Sequence, residues 1–128
     1  MKRYVYTLLM IGIVVILFNT FSNRATRDLA LEKSLIELLE QGEKEIDLSE
    51  LTTFDWIKVE LFPPYTHDEV IEETMDITFK GDNGNIDLFD CCFLVVFAND
   101  NYAVKTVMLP MHRIDSIRDE RVLVGREK

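Results

Sequence analysis

Residues 91 to 109, "CCFLVVFANDNYAVKTVML", restrict the fold more than any other stretch of this chain. Two runs rich in β-branched and aromatic residues flank Asn99-Asp100-Asn101, and such runs around a short polar turn specify a β-hairpin. The first run, Cys92 to Phe97, is apolar at odd and even positions alike. Successive strand side chains point to opposite faces, so this strand must be covered on both sides, as a central strand is. Pro110 ends the second strand, because it has no N–H to donate to a ladder.

Helical and strand periods elsewhere supply the cover. Between Ala25 and Gln41, Leu31, Leu35, Leu38 and Leu39 fall at helical spacing, with Ile36 widening the stripe and Gly42 suited to the C-terminal stop. Fewer than three heptads are present, so the stripe reads as a helix covering the domain's own sheet in preference to a coiled-coil stalk. Ile57, Val59 and Leu61 alternate with Lys58 and Glu60, the period of a half-buried strand that Pro63 and Pro64 must end near Phe62. Thr66-His67-Asp68-Glu69 has the spacing of a capping box, Thr66 at the N-cap and Glu69 at N3, ahead of a short helix carrying Val70, Ile71 and Met75. "KGDNGN" (80–85) is a turn, and Val122 to Val124, after the polar stretch "MHRIDSIRDER", is an edge strand. The pattern predicts an α+β domain with a largely antiparallel sheet of about four strands, and two helices on one face.

Ahead of this domain lies "YVYTLLMIGIVVILFNTF", residues 4 to 21, without a charged side chain. Eighteen residues rise roughly 27 Å as a helix, close to a hydrocarbon core of about 30 Å. Eleven of the eighteen are Leu, Ile, Val or Phe, together favouring insertion by roughly 3 to 7 kcal/mol. These features predict an N-terminal transmembrane helix, a single-pass signal-anchor over 1–21, followed by an amphipathic juxtamembrane helix within 22–45 and a small domain over 46–128. The expected location is a cell membrane, N-terminus inside and the C-terminal domain extracytoplasmic. The alternative is secretion after cleavage at Thr20-Phe21-Ser22, a loose match to the small-residue pattern. No lipobox is available, because the only cysteines are Cys91 and Cys92.

Charge narrows the partners. All 23 acidic residues follow residue 27, and from residue 22 onward 12 basic residues leave a formal charge of −11. So acidic a domain disfavours nucleic acid and anionic lipid head groups, whose phosphates require Lys and Arg clusters, and tolerates cationic partners or divalent ions. Oligomeric state is not legible.

Catalytic signals are weak. Cys91 and Cys92, as strand neighbours, point to opposite faces and lack the spacing of zinc ligands, and a disulfide between neighbours is strained, so one is expected buried and one turned away. His67, beside Asp68 and Glu69, reads as a solvated residue, and "DNGNID" (82–87) lacks the register of a calcium loop. No catalytic, metal or cofactor-binding residues are assigned, and no enzyme activity is expected. The candidate binding surface is the aromatic-proline corner Trp56, Phe62, Pro63, Pro64 and Tyr65; the competing structural role has Trp56 and Tyr65 lock the short helix onto the sheet, their polar tips reaching a backbone carbonyl.

"FDWIKVELFPPYT" (54–66) with "FLVVFANDNYAVKTVMLP" (93–110) resembles a group of small bacterial membrane-anchored or lipoprotein-like proteins, sharing an aromatic-Asp-Trp-x-Lys-Val strand, a Pro-Tyr-Thr turn and a C-terminal hairpin. The likeness spans roughly residues 46–124. It implies surface anchoring and no established activity. This chain departs from the pattern at Ile57, where an acidic residue is common, and in lacking a lipidation cysteine. The function expected is a non-catalytic, membrane-tethered acidic interaction or accessory domain. The alternative is a small extracytoplasmic hydrolase or ligand-binding protein using Asp55, Asp68 and Glu69.

Overall fold

The computed structural model describes residues 2–21 and 23–126, with side chains over 2–17 and 23–126. Its centre is the hairpin of β4 (Cys92–Ala98) and β5 (Ala103–Pro110). Asn99 closes the connection: its Oδ1 accepts from the N–H groups of Asn101 and Tyr102, both at 2.8 Å, the local bonding that suits Asn to turns. β3 (Lys58–Phe62) pairs antiparallel with the other side of β4 and stops where Pro63 has no N–H to offer. The fourth strand is β1 (Thr26–Arg27), parallel to β5, giving the order β1-β5-β4-β3.

The α+β class and the largely antiparallel central sheet agree with the sequence pattern, but the strand count does not. A second sheet forms from β2 (Glu45–Asp47), β7 (Val122–Gly125) and β6 (Ile114–Arg118), ordered β2-β7-β6 and antiparallel throughout. Residues 122–124, expected at an edge, therefore lie in the middle strand of this sheet.

Helices cover both faces of the central sheet, not one. On one face Val95, Phe97, Val107 and Leu109 pack with Leu31, Leu35 and Leu39 of α2 (Leu29–Glu40) and with Ile46, Ile114 and Leu123 of the second sheet. On the other, Leu94, Val96, Ala98 and Met108 pack with Ile71 and Met75 of α4 (Asp68–Met75) and with Phe79 and Ile86 from the segment after it. The cause is the unbroken apolar run of β4, in which Leu94 to Ala98 are all fully buried.

Local chemistry moves two helix starts. α2 begins at Leu29, not Ala25, because residues 25–27 pair with neighbours: Ala25 N–H donates to Lys80 O at 2.6 Å, and β1 adds to the sheet. Asp28 then caps α2, its Oδ1 accepting from Leu31 N–H at 3.0 Å. α4 is preceded by His67 at the N-cap, without a side-chain cap bond. The expected capping box does not form, because the Thr66 hydroxyl is buried and donates to Pro63 O at 2.6 Å, closing the Pro-Pro-Tyr-Thr turn. The one-turn helix α3 (Leu48–Leu51) follows β2 directly, with Asp47 as its cap.

The membrane expectation is overturned. The N-terminal apolar run is helical, α1 (Lys2–Phe21), yet among the described residues no helix is long and apolar enough to cross a membrane. The transmembrane, single-pass and signal-anchor readings fall with this, as does the extracytoplasmic placement derived from them. The side chains of 18–21 and the cleavage position at residue 22 lie outside the described residues. The apolar side chains of α1 from Tyr4 to Leu17 are exposed, and none belongs to either core cluster.

The cysteines also depart from expectation. Cys91 and Cys92 are joined to each other by a disulfide, with Cys91 exposed and Cys92 half-buried against the α4 side of the core.

Candidate interaction groove

The stretch that joins α3 to β3, Thr52 to Ile57, is held open by two anchors. Trp56 Nε1–H donates to Thr52 Oγ1 at 2.8 Å. The rings of Phe54 and Trp56 both meet the buried ring of Phe97 edge-on, with centroids 5.3 Å apart in each case, an arrangement aromatic quadrupoles favour. The facing wall is the turn between β6 and β7, where Arg121 N–H donates to Arg118 O at 3.2 Å and Leu48 N–H donates to Arg121 O at 2.9 Å. The turn is thereby tied to α3.

Between these walls lies a cavity of about 600 Å³ that reaches Thr52, Asp55, Trp56, Asp119, Glu120 and Arg121. A second hollow of about 390 Å³ continues from Ile57 and Glu120 along Glu60 to the C-terminal end of α4. Ile57 lies between the two, 58 % exposed. An apolar strip of Trp56 and Ile57 is thus bordered by the carboxylates of Asp55, Glu60, Asp119 and Glu120. Of the nearby cations, Lys58 is engaged, its Nζ donating to Met75 O at 3.0 Å.

Two features mark this wall as strained in charge and in backbone. Burial, followed by the negative charge of Glu120, pushes the Glu60 carboxyl above its ordinary range. Asp119 and Glu120 have φ of 54° and 59°, left-handed values that Asp tolerates but that Glu disfavours. Both central residues of the turn are left-handed, as in a type I′ hairpin turn, where Asn-Gly is the usual choice. Backbone held in such conformations concentrates at functional sites.

The five residues of the aromatic-proline corner do not share one surface. Trp56 belongs to the core cluster on the α2 side of the sheet, whereas Phe62, 3 % exposed, belongs to the α4 side. Pro63, Pro64 and Tyr65 stay together at the end of β3, where Tyr65 is 58 % exposed and its N–H donates to Ile86 O at 2.7 Å. Trp56 meets a threonine hydroxyl and a phenylalanine ring, not a backbone carbonyl or α4. The carboxylates Asp55, Asp68 and Glu69 are also apart: Asp55 lines the groove, while Asp68 and Glu69 open α4 on the far face, Asp68 Oδ1 accepting from Asn83 Nδ2 at 2.8 Å. His67 and His112 are exposed. Among the described residues no group of three or more His, Cys, Asp or Glu is arranged to hold a metal ion.

Asp119, Glu120 and Arg121 were not legible as site residues, because "MHRIDSIRDER" reads as one polar loop. The available signal was Ile114 and Ile117 ahead of Arg-Asp-Glu-Arg, then Val-Leu-Val: a strand, a charged turn and a strand. Comparison of the chain with family models, curated proteins and solved structures finds no match. The resemblance of residues 46–124 to small bacterial surface proteins gains no support from these comparisons.

Proposed function

We propose that this chain is a non-catalytic interaction domain whose acidic groove binds a cationic segment of a protein partner. The observation that carries the reading is the combination at one site of an apolar strip, Trp56 and Ile57, with a border of Asp55, Glu60, Asp119 and Glu120. A Lys or Arg side chain laid along the strip buries its methylenes on Trp56 and Ile57 and brings its charge to the carboxylates. It also relieves the repulsion between Glu60 and Glu120, so binding gains from a penalty present in the free protein. The formal charge of −9 for the whole chain adds long-range attraction for cations. The hydrolase alternative draws no support from carboxylates that lie on opposite faces of the sheet.

Trp56 is the only tryptophan, so its fluorescence reports the groove directly. Titration with a short Lys- and Arg-rich peptide is expected to give a saturable change that weakens with added salt, as screening of exposed charges requires. An acidic peptide of equal length is expected to give none. Equal responses to both peptides, or no response to the cationic one, would refute the reading.

A further inference from the structure

We propose that the Cys91–Cys92 disulfide is a thiol–disulfide exchange site, opened by a dithiol reductant, that sets where β4 begins. The inference is independent of the groove. A disulfide stabilises a fold chiefly by closing a loop in the unfolded chain, and its effect grows with the length of that loop. A bond between sequence neighbours closes almost none, so stability does not account for it.

Its placement accounts for it better. Neighbouring residues of an extended strand direct their side chains to opposite faces, so joining the two sulfurs holds Cys91 out of strand conformation. β4 accordingly begins at Cys92, paired with Pro110, and Cys91 stays outside although its O accepts a long bond of 3.4 Å from Met111 N–H. Cys91 is exposed, and next to it Leu88 and Phe89 are 68 % and 53 % exposed. Breaking the bond frees Cys91 to extend β4 by one residue opposite Met111 and to draw Phe89 and Asp90 with it.

The chemistry balances with the dithiol alone. Its thiolate attacks the accessible Cys91 Sγ, the sulfur–sulfur bond breaks, and the electron pair leaves on Cys92 Sγ, which takes up a proton. The second thiol of the reductant then attacks the mixed disulfide, releasing Cys91 as a thiol and the reductant as its cyclic disulfide. The protein gains two electrons and two protons, and the dithiol loses them.

The test counts thiols on the full chain. Protein prepared without reductant and then unfolded is expected to take up no maleimide; after treatment of the folded protein with dithiothreitol it takes up two per chain, and folded it binds one phenylarsine oxide, which needs two adjacent thiols. Amide exchange at 89–92 and at Met111 is expected to slow on reduction. Cys91→Ser, which cannot form the bond, is expected to show the slow pattern without reductant. Two free thiols in untreated protein, a disulfide-linked dimer, reduction only after unfolding, or the same exchange in both redox states would each overturn the proposal.

Discussion

Glu60 and Asp47 make opposite contributions to the pH dependence of this fold. Burial and Glu120 raise the Glu60 carboxyl, so the folded state holds that proton more tightly than the unfolded chain does. The stability it contributes is complete below the ordinary glutamate pKa of about 4.3 and is lost as pH rises through the raised value. Glu60→Gln is therefore expected to be more stable than the parent at pH 7, with the difference vanishing in acid, as read by urea unfolding across pH. Asp47 behaves in the reverse sense. The Ser49 hydroxyl lowers its carboxyl, with Ser49 N–H and the charge of Arg121 acting in the same direction, so its contribution is present above about pH 4 and is lost as pH falls further. In Asp47→Asn this acid-side loss is expected to disappear. Glu120→Gly isolates the strained turn: relief of the left-handed backbone is expected to stabilise by about 1 kcal/mol, while loss of a groove carboxylate weakens cationic-peptide binding several-fold. Stability and binding moving in opposite directions would mark the strain as functional. The Glu60–Glu120 coupling was not legible in the sequence, because the two residues meet only once β3 and the last hairpin have come together, whereas the Asp47–Ser49 pair is local.

Elements were legible where the pattern was local. The Cys92–Phe97 run announced a strand buried on both faces, the two prolines fixed the end of β3, and the leucine stripe of α2 identified its buried side. Elements whose existence depends on distant partners were not. β1 exists because Ala25 fits against Gly81, and β2 because Glu45 to Asp47 find β7. Gly81 has φ of 116°, and a Cβ there would overlap the carbonyl of Ala25. Gly81→Ala is expected to release 24–27 from the sheet, seen as faster amide exchange at Ala25 and Asp82, at a cost of about 1 to 3 kcal/mol. Phe97→Ala removes the ring against which Phe54 and Trp56 rest and is expected to cost about 3 to 5 kcal/mol in urea unfolding, with a red shift of Trp56 emission.

At the scale of the whole molecule, the sequence reading went furthest from the structure at the N-terminus. Composition and length alone assigned residues 4–21 to hydrocarbon, whereas among the described residues no helix is long and apolar enough to cross a membrane, and the described side chains of α1 join neither core cluster. Removal of residues 1–22 is accordingly expected to leave the thermal midpoint of the remaining domain within a few degrees of the full chain, by calorimetry, and to raise its solubility, since exposed apolar surface of that extent promotes association. The α+β class, by contrast, survived, since it rests on alternation and turn chemistry that the folded domain keeps. The candidate site was half legible: Trp56 and Asp55 stood out by residue type, but the acidic wall opposite them comes from a turn more than 60 residues away in the chain.

The groove itself is tested most directly by amide-resolved NMR of the full chain titrated with a Lys- and Arg-rich peptide. Shifts confined to 54–57, Glu60 and 118–121, abolished together by Asp119→Asn with Glu120→Gln, are the predicted result. Shifts centred on another surface, or scattered in proportion to exposed carboxylates, would contradict it.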